Sequence, residues 1–306
     1  MNAVSNQPQL FAAARAMIGS GLRWCMLACC LCSLLSCSTL RVGYDNADTV
    51  AVWWLDRYLD LTPVQKTLLR RDAAQLLQWH RKTQLPLYVQ FLQQMQGQLK
   101  GRVTRAELEA DSDRIEQLAQ AILLQAVPQL SDLVLSLNEA QLAHLEKRFN
   151  SQNEEYRKEF IIDAAPKRER RRIKKVMRQA HDWLGSFSPE QEEKIHALVK
   201  AQPRNNQLWL DERIARQQKI LTVLRQLQRD KPAREVAQES MRKLVLALFE
   251  HTSQQQRRAY FDAWHESTVL LIDAAVHDAT PAQKAFAGKR LQGWIDDYTK
   301  LMAQKR

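Results

Sequence analysis

The chain has 306 residues, with 45 Lys and Arg against 34 Asp and Glu, a formal charge of +11. That length can bury a substantial core in one domain or two smaller ones, so stability does not call for disulfides or metals. With only eight glycines, and with no P-loop, G-x-S-x-G or H-E-x-x-H motif, the sequence lacks the tight backbone approaches on which phosphate loops and dinucleotide sites depend.

All five cysteines, Cys25, Cys29, Cys30, Cys32 and Cys37, lie at the start of the chain. Arg15 and Arg23 supply positive charge ahead of an apolar run from Trp24 to Leu35, interrupted only by Ser33, and no acid precedes Asp45. The run covers about 12 residues where a spanning helix needs about 20, so the pattern reads as a secretory signal. A start at Met17 would leave about 20 residues before the cleavage point. Leu34-Leu35-Ser36-Cys37 resembles the lipobox of bacterial lipoproteins: an apolar residue, a small residue, then the cysteine that receives the lipid. The resemblance implies that residues 1–36 are removed, that Cys37 carries diacylglycerol and an amide-linked chain such as palmitate, and that residues 37–46 form a lipidated tether. At about 0.8 kcal/mol per buried methylene, such an anchor is close to permanent. Ser38 stands where an aspartate would resemble an inner-membrane retention signal, so the expected site is the outer membrane, facing the periplasm. Without residues 1–36 the chain keeps 43 basic and 34 acidic residues and stays basic.

Beyond Cys37 the abundant residues are Leu, Gln, Arg, Ala, Glu and Lys, the strong helix formers. No alternating β-branched run or Asn-Gly turn appears. Helices are expected near 47–60, 63–83, 86–99, 105–126, 139–162, 167–184, 189–201, 206–229, 233–250, 254–277 and 281–303. One start pattern recurs. Leu61-Thr62-Pro63-Val64-Gln65, Phe187-Ser188-Pro189-Glu190-Gln191 and Ala279-Thr280-Pro281-Ala282-Gln283 share (S/T)-P-x-Q, and Leu137-Asn138-Glu139-Ala140-Gln141 and Thr252-Ser253-Gln254-Gln255-Gln256 are looser copies. The hydroxyl or amide caps an orphan N–H, proline at the first helical position lacks a donor that would be unsatisfied anyway, and glutamine at the third reaches back to the cap. Thr104 with Glu107 makes a further capping box, and Pro86 and Pro128 read as breaks or first-turn residues. Apolar stripes at helical spacing, such as Leu118 with Ile122 and Leu244, Val245, Leu248 with Phe249, require partner helices. The expected fold is all-α: antiparallel helical hairpins stacked into an elongated multi-helix bundle, with an N-terminal half over 47–186 and a C-terminal half over 187–306.

Four segments in order, Gly43 to Asp48, Trp53 to Asp56, Trp79 to Pro86 and Asn153 to Phe160, resemble an uncharacterised family of Gram-negative lipoproteins whose domain has no known activity. That resemblance transfers no catalytic residue. Leu61-Thr62-Pro63-Val64-Gln65 is also similar to the L-T-x-x-Q motif of periplasmic stress chaperones of the Spy and CpxP type, although capping alone accounts for the same residues.

Lys167, Arg168, Arg170, Arg171, Arg172, Lys174, Lys175 and Arg178 place eight cations in twelve positions, with Glu169 the sole acid. On a helix they spread around most of the circumference and set up a strong positive potential. Behind a secretory signal, nucleic acid is excluded as the partner, which leaves anionic headgroups, lipopolysaccharide phosphates or an acidic polypeptide; a solvated helix face is the alternative. The seven histidines never fall at i, i+3 or i+4 to one another, so no metal or other cofactor is expected, and His80 reads as a hydrogen-bonded structural residue. Trp53 and Trp54 are expected in the core, with the membrane interface as the other option. The expectation is therefore a non-enzymatic, lipid-anchored, periplasm-facing binding or scaffold protein of the cell envelope, chaperone-like in one version. A periplasmic hydrolase with a site spread over several helices is the alternative.

Overall fold

A computed structural model describes residues 36–250 and 255–304. In chain order the helices are α1 (Ser36–Asp45), α2 (Ala47–Leu59), α3 (Pro63–Leu99), α4 (Arg105–Gln125), α5 (Val127–Ser136) and α6 (Glu139–Tyr156); a π-helical turn (Arg157–Ile162) follows, then α7 (Ala165–Leu184), α8 (Pro189–Ala201), α9 (Asn206–Asp230), α10 (Arg234–Phe249), α11 (Gln255–His277) and α12 (Pro281–Ala303). No strand occurs among the described residues, and the architecture is an all-α helical bundle. Residues 1–35 of the expected signal segment 1–36, and Ser253 and Gln254 of the looser cap, lie outside the described residues.

Three differences from the expected elements have local causes. The helices expected on either side of Pro86 are one helix of 37 residues, α3, with Pro86 inside it. An interior proline costs a helix about 3 kcal/mol, but Leu85 is completely buried and α12 packs along α3 more extensively than any other helix pair, so tertiary packing carries the helix through. A helix absent from those expected, α5, follows α4, with Pro128 in its first turn, where a proline gives up no hydrogen bond. In the segment 37–46, expected as a tether, residues 37–45 belong to α1, which packs on α12 and α2, and Asn46 is the turn before α2.

The capping boxes at Thr62, Thr104, Asn138, Ser188 and Thr280 all form, with side chain to backbone bonds in both directions. Four of them do more, because their glutamines pair. Gln65 Nε2 donates to Gln141 Oε1 at 3.3 Å, and Gln141 Nε2 donates back to Gln65 Oε1 at 2.8 Å. Each amide also donates to the carbonyl two residues before the other's cap: Gln65 to Ser136 O at 3.1 Å and Gln141 to Asp60 O at 3.0 Å. The same clasp recurs between Gln191 and Gln283, whose amides exchange bonds of 3.1 Å and reach Asp278 O and Ser186 O. A glutamine spends two donors and two acceptor sites here, its full capacity, with nothing left unpaired. One clasp joins the starts of α3 and α6, the other the starts of α8 and α12.

The largest core draws Tyr58 and Leu59 from α2, Ala119 from α4, Val127 and Val134 from α5, Leu142, Leu145 and Phe149 from α6, Leu221, Leu224 and Leu227 from α9, and Met241, Leu244, Val245 and Phe249 from α10. A second core sets Leu92 of α3 against Leu291, Trp294 and Ile295 of α12. Both take residues from either side of Phe187. A third, smaller core places Met177 of α7 with Ile195 and Val199 of α8 and Leu271 of α11, and it is this core that seats the basic helix.

Candidate functional site

Helix α7 buries Met177 and Leu184 and packs Ile173, Val176 and Ala180 against the third core. Those positions recur at helical spacing and fix one face inward, which distributes the eight cations unequally. Arg170, Lys174, Lys175 and Arg178 are exposed, with no hydrogen bond or ion pair among the described residues. Lys167 is exposed but bridges Asp163 at 3.2 Å.

The other three cations turn toward the protein. The π-helical turn ends the helix, and cations of α7 take last-turn carbonyls that any helix end leaves without an intrahelical partner. Arg168 Nη1 donates to Phe160 O at 3.2 Å and to Ile161 O, while Arg171 Nη2 donates to Glu159 O. Asn206 of α9 also donates to Phe160 O, at 2.6 Å. Arg171 further bridges Asp163 at 3.0 Å, and Asp163 is held below the usual carboxylate range: burial opposes this, but Lys167, the Ala164 amide and Arg171 outweigh it. Arg172 is half-buried, its basicity lowered by desolvation and then by the Arg204 guanidinium. The eight cations expected to spread around the helix and engage an anionic partner are therefore not equivalent. Arg168 and Arg171 brace the junction between α6 and α7, and four unpaired cations form the outer face.

Tyr44, from the segment Gly43 to Asp48, meets His80, from the segment Trp79 to Pro86. The Tyr44 hydroxyl lies 3.0 Å from His80 Nδ1 and donates to Leu77 O at 3.3 Å, and Tyr88 Oη lies 3.1 Å from Nε2. Burial pushes His80 down to about 4 and Tyr44 up to about 12. A neutral imidazole has one donor and one acceptor, so both ring nitrogens are consumed by the two hydroxyls and neither is left for a substrate. This matches the expected structural hydrogen bond at His80. Among the described residues no three His, Cys, Asp or Glu side chains gather as a metal site.

Within the segment Asn153 to Phe160, Asn153 Nδ2 donates to Gln217 Oε1 at 2.7 Å. Beside it, Arg213 is only 2 % exposed, donates to Gln152 Oε1 at 3.1 Å and lies over the Tyr156 ring. Sequence reasoning overlooked Arg213. Its signal was positional: Leu210, Arg213, Gln217, Leu221 and Leu224 share one helical stripe, which sets two polar residues on an apolar face.

A cleft of about 390 Å³ opens between α3 and α4, lined by Leu87, Gln90, Phe91, Gln94, Ala110, Arg114 and Gln117. Beside it, buried Asp111 accepts from Gln94 at 3.3 Å and Gln98 at 3.4 Å, and desolvation raises its pKa. The lining supplies amides and a guanidinium but no nucleophile beside a base.

Fold and site thus define a helical bundle with a cationic helix face. The model of the Family of unknown function (DUF6279) matches residues 57–246, and the chain belongs to that family. No curated protein and no solved structure matches the chain.

Proposed function

We propose that this is a lipid-anchored, non-enzymatic binding or scaffold protein of the cell envelope, held at the outer membrane through Cys37 and facing the periplasm, which engages an anionic partner with the outer face of α7. The observation that carries the binding role is the set Arg170, Lys174, Lys175 and Arg178, exposed and without ion pairs among the described residues. Four neighbouring cations repel one another, and an anion relieves that repulsion while gaining their attraction. Anchorage rests on the likeness of Leu34 to Cys37 to a lipobox. No single described helix is long and apolar enough to cross a membrane. Both His80 nitrogens are held by tyrosine hydroxyls, which supports a structural role for this histidine. The chaperone likeness stays local, since Thr62 and Gln65 of that motif are already used in the cap and the clasp.

The test is co-sedimentation of the protein with lipopolysaccharide or with anionic liposomes. Reversal of Arg170, Lys174, Lys175 and Arg178 to glutamate is expected to abolish binding at unchanged helicity. Binding by the wild type should weaken as salt rises, because exposed charges are screened over about 8 Å at physiological ionic strength. Arg168 and Arg171 are left intact, since they hold the π-helical turn. Binding indifferent to both salt and charge reversal would refute the assignment of this face. Loss of palmitate-analogue labelling and of membrane retention in Cys37→Ala tests the anchor.

A further inference from the structure

Helices α1 and α2 have an outer surface unlike the rest of the molecule. In a chain of which 26 % is charged, the exposed residues between Arg41 and Leu59 are Val42, Gly43, Asn46, Thr49, Val50, Trp53 and Trp54, with no charge among them. The apolar ones are well exposed: Val42 by 61 %, Val50 by 53 %, Trp53 by 47 % and Trp54 by 44 %. This overturns the expectation that both tryptophans are core residues.

The inner side of α2 is already occupied by Val52, Tyr58 and Leu59, so a surface helix of an ordinary soluble protein would turn charges outward. Here two of the three acids are drawn aside. Asp56 accepts from Leu61 N at 2.9 Å and bridges Lys66 at 2.8 Å, and Asp45 lies 3.9 Å from Arg81. Val50, Trp53, Trp54 and Arg57 fall on one side of α2 at helical spacing, and the Arg57 guanidinium sits 4.9 Å over the Trp53 ring.

The position of this side relative to Cys37 points to an occupant. α1 begins at Ser36 and packs on α12 and α2, and Tyr44 is bonded to Leu77 and His80 of α3. Between Cys37 and Trp54 the two helices span about 26 Å of rise in all, with no long linker. Acyl chains on Cys37 would therefore hold the body against the bilayer, and the surface around α1 and α2 would meet headgroups.

We infer that the Val42, Val50, Trp53 and Trp54 face seats in the headgroup layer of the membrane that receives the Cys37 lipid, with Arg57 toward anionic headgroups. Tryptophan is favoured at this depth, where its ring is shielded from water and its N–H stays wet. Lipid would thus supply the tether while this face sets the orientation of the bundle. The inference rests on the anchor reading, but the two fail separately.

The full mature lipoprotein, purified from membranes, is reconstituted in vesicles of phosphatidylethanolamine and phosphatidylglycerol with brominated acyl chains. Tryptophan quenching is compared between wild type and a Trp53→Phe, Trp54→Phe double variant that conserves packing, with circular dichroism confirming the fold. Quenching is expected in the wild type and should fall by more than half in the double variant, with palmitate-analogue labelling unchanged in both. A labelled, membrane-bound wild type quenched no more than the double variant would overturn the inference, and crosslinking would then show whether a second copy or another protein covers the face. Full labelling and membrane retention in Cys37→Ser would sink the anchor reading, while the quenching difference would still report on the face.

Discussion

Replacing Gln65 by glutamate separates local capping from the glutamine clasp. Glutamate serves a capping box as well as glutamine does, and a negative charge in the first turn of a helix is favourable. Capping alone therefore predicts a neutral or slightly stabilising change. The clasp predicts the opposite. Gln65 is 6 % exposed, and its Nε2 donates to Gln141 Oε1 and to Ser136 O. A carboxylate supplies neither donor, so Ser136 O loses this partner and Gln141 Oε1 keeps only the Asn138 amide; an acceptor left unpaired costs about 1–3 kcal/mol, and a charge is removed from water beside it. The expected loss is on the order of 3–5 kcal/mol, a large part of the 5–15 kcal/mol typical of a domain. Protonation restores a donor, so the loss should shrink as pH falls through the raised pKa of the new carboxyl. Urea denaturation followed by circular dichroism measures both effects. Glu107→Gln is the control: its capping box is exposed and joined to no other cap, so a change under about 1 kcal/mol is expected. A Gln65→Glu protein within about 0.5 kcal/mol of wild type at neutral pH would show that the clasp adds nothing to the caps.

Thr62→Ala, Ser188→Ala and Thr280→Ala should each lower stability by about 1 kcal/mol in the same denaturation assay, with anionic-partner binding unchanged. His80 is held down to about 4 by burial, so its contribution is present above the ordinary histidine pKa and is lost as pH falls toward about 4. The unfolding free energy from urea titrations should therefore drop on acidification by up to about 3 kcal/mol more in wild type than in His80→Gln, and parallel profiles would contradict this. Pro86→Ala should leave the fold intact and raise the unfolding free energy, by at most the roughly 3 kcal/mol that an interior proline costs, because α3 is already helical through this position.

Helix starts were legible because capping chemistry is complete within four residues: the threonine, proline and glutamine of each motif specify the same local geometry wherever they occur. Pairing between the motifs was not. No local rule relates Gln65 to Gln141, which lie 76 positions apart, or Gln191 to Gln283, 92 apart. Pro86 misled for a related reason, since propensity is a weak prior that the contact between α3 and α12 overrides. The tryptophans misled because average burial says little about a helix whose inner side Val52, Tyr58 and Leu59 already fill.

The basic segment shows how much depends on that distinction. Eight cations in twelve positions establish a positive region, but which of them face solvent depends on where the helix enters. α7 follows the π-helical turn, whose last carbonyls have no intrahelical partner and take side-chain donors. Arg168 and Arg171 provide them, so replacing either would disturb the junction before it altered any binding face. A screen that neutralised all eight cations would confuse misfolding with loss of affinity. Restricting charge reversal to Arg170, Lys174, Lys175 and Arg178 leaves the turn, the third core and the Asp163 bridges in place, so any loss of salt-sensitive binding then reports on the outer face.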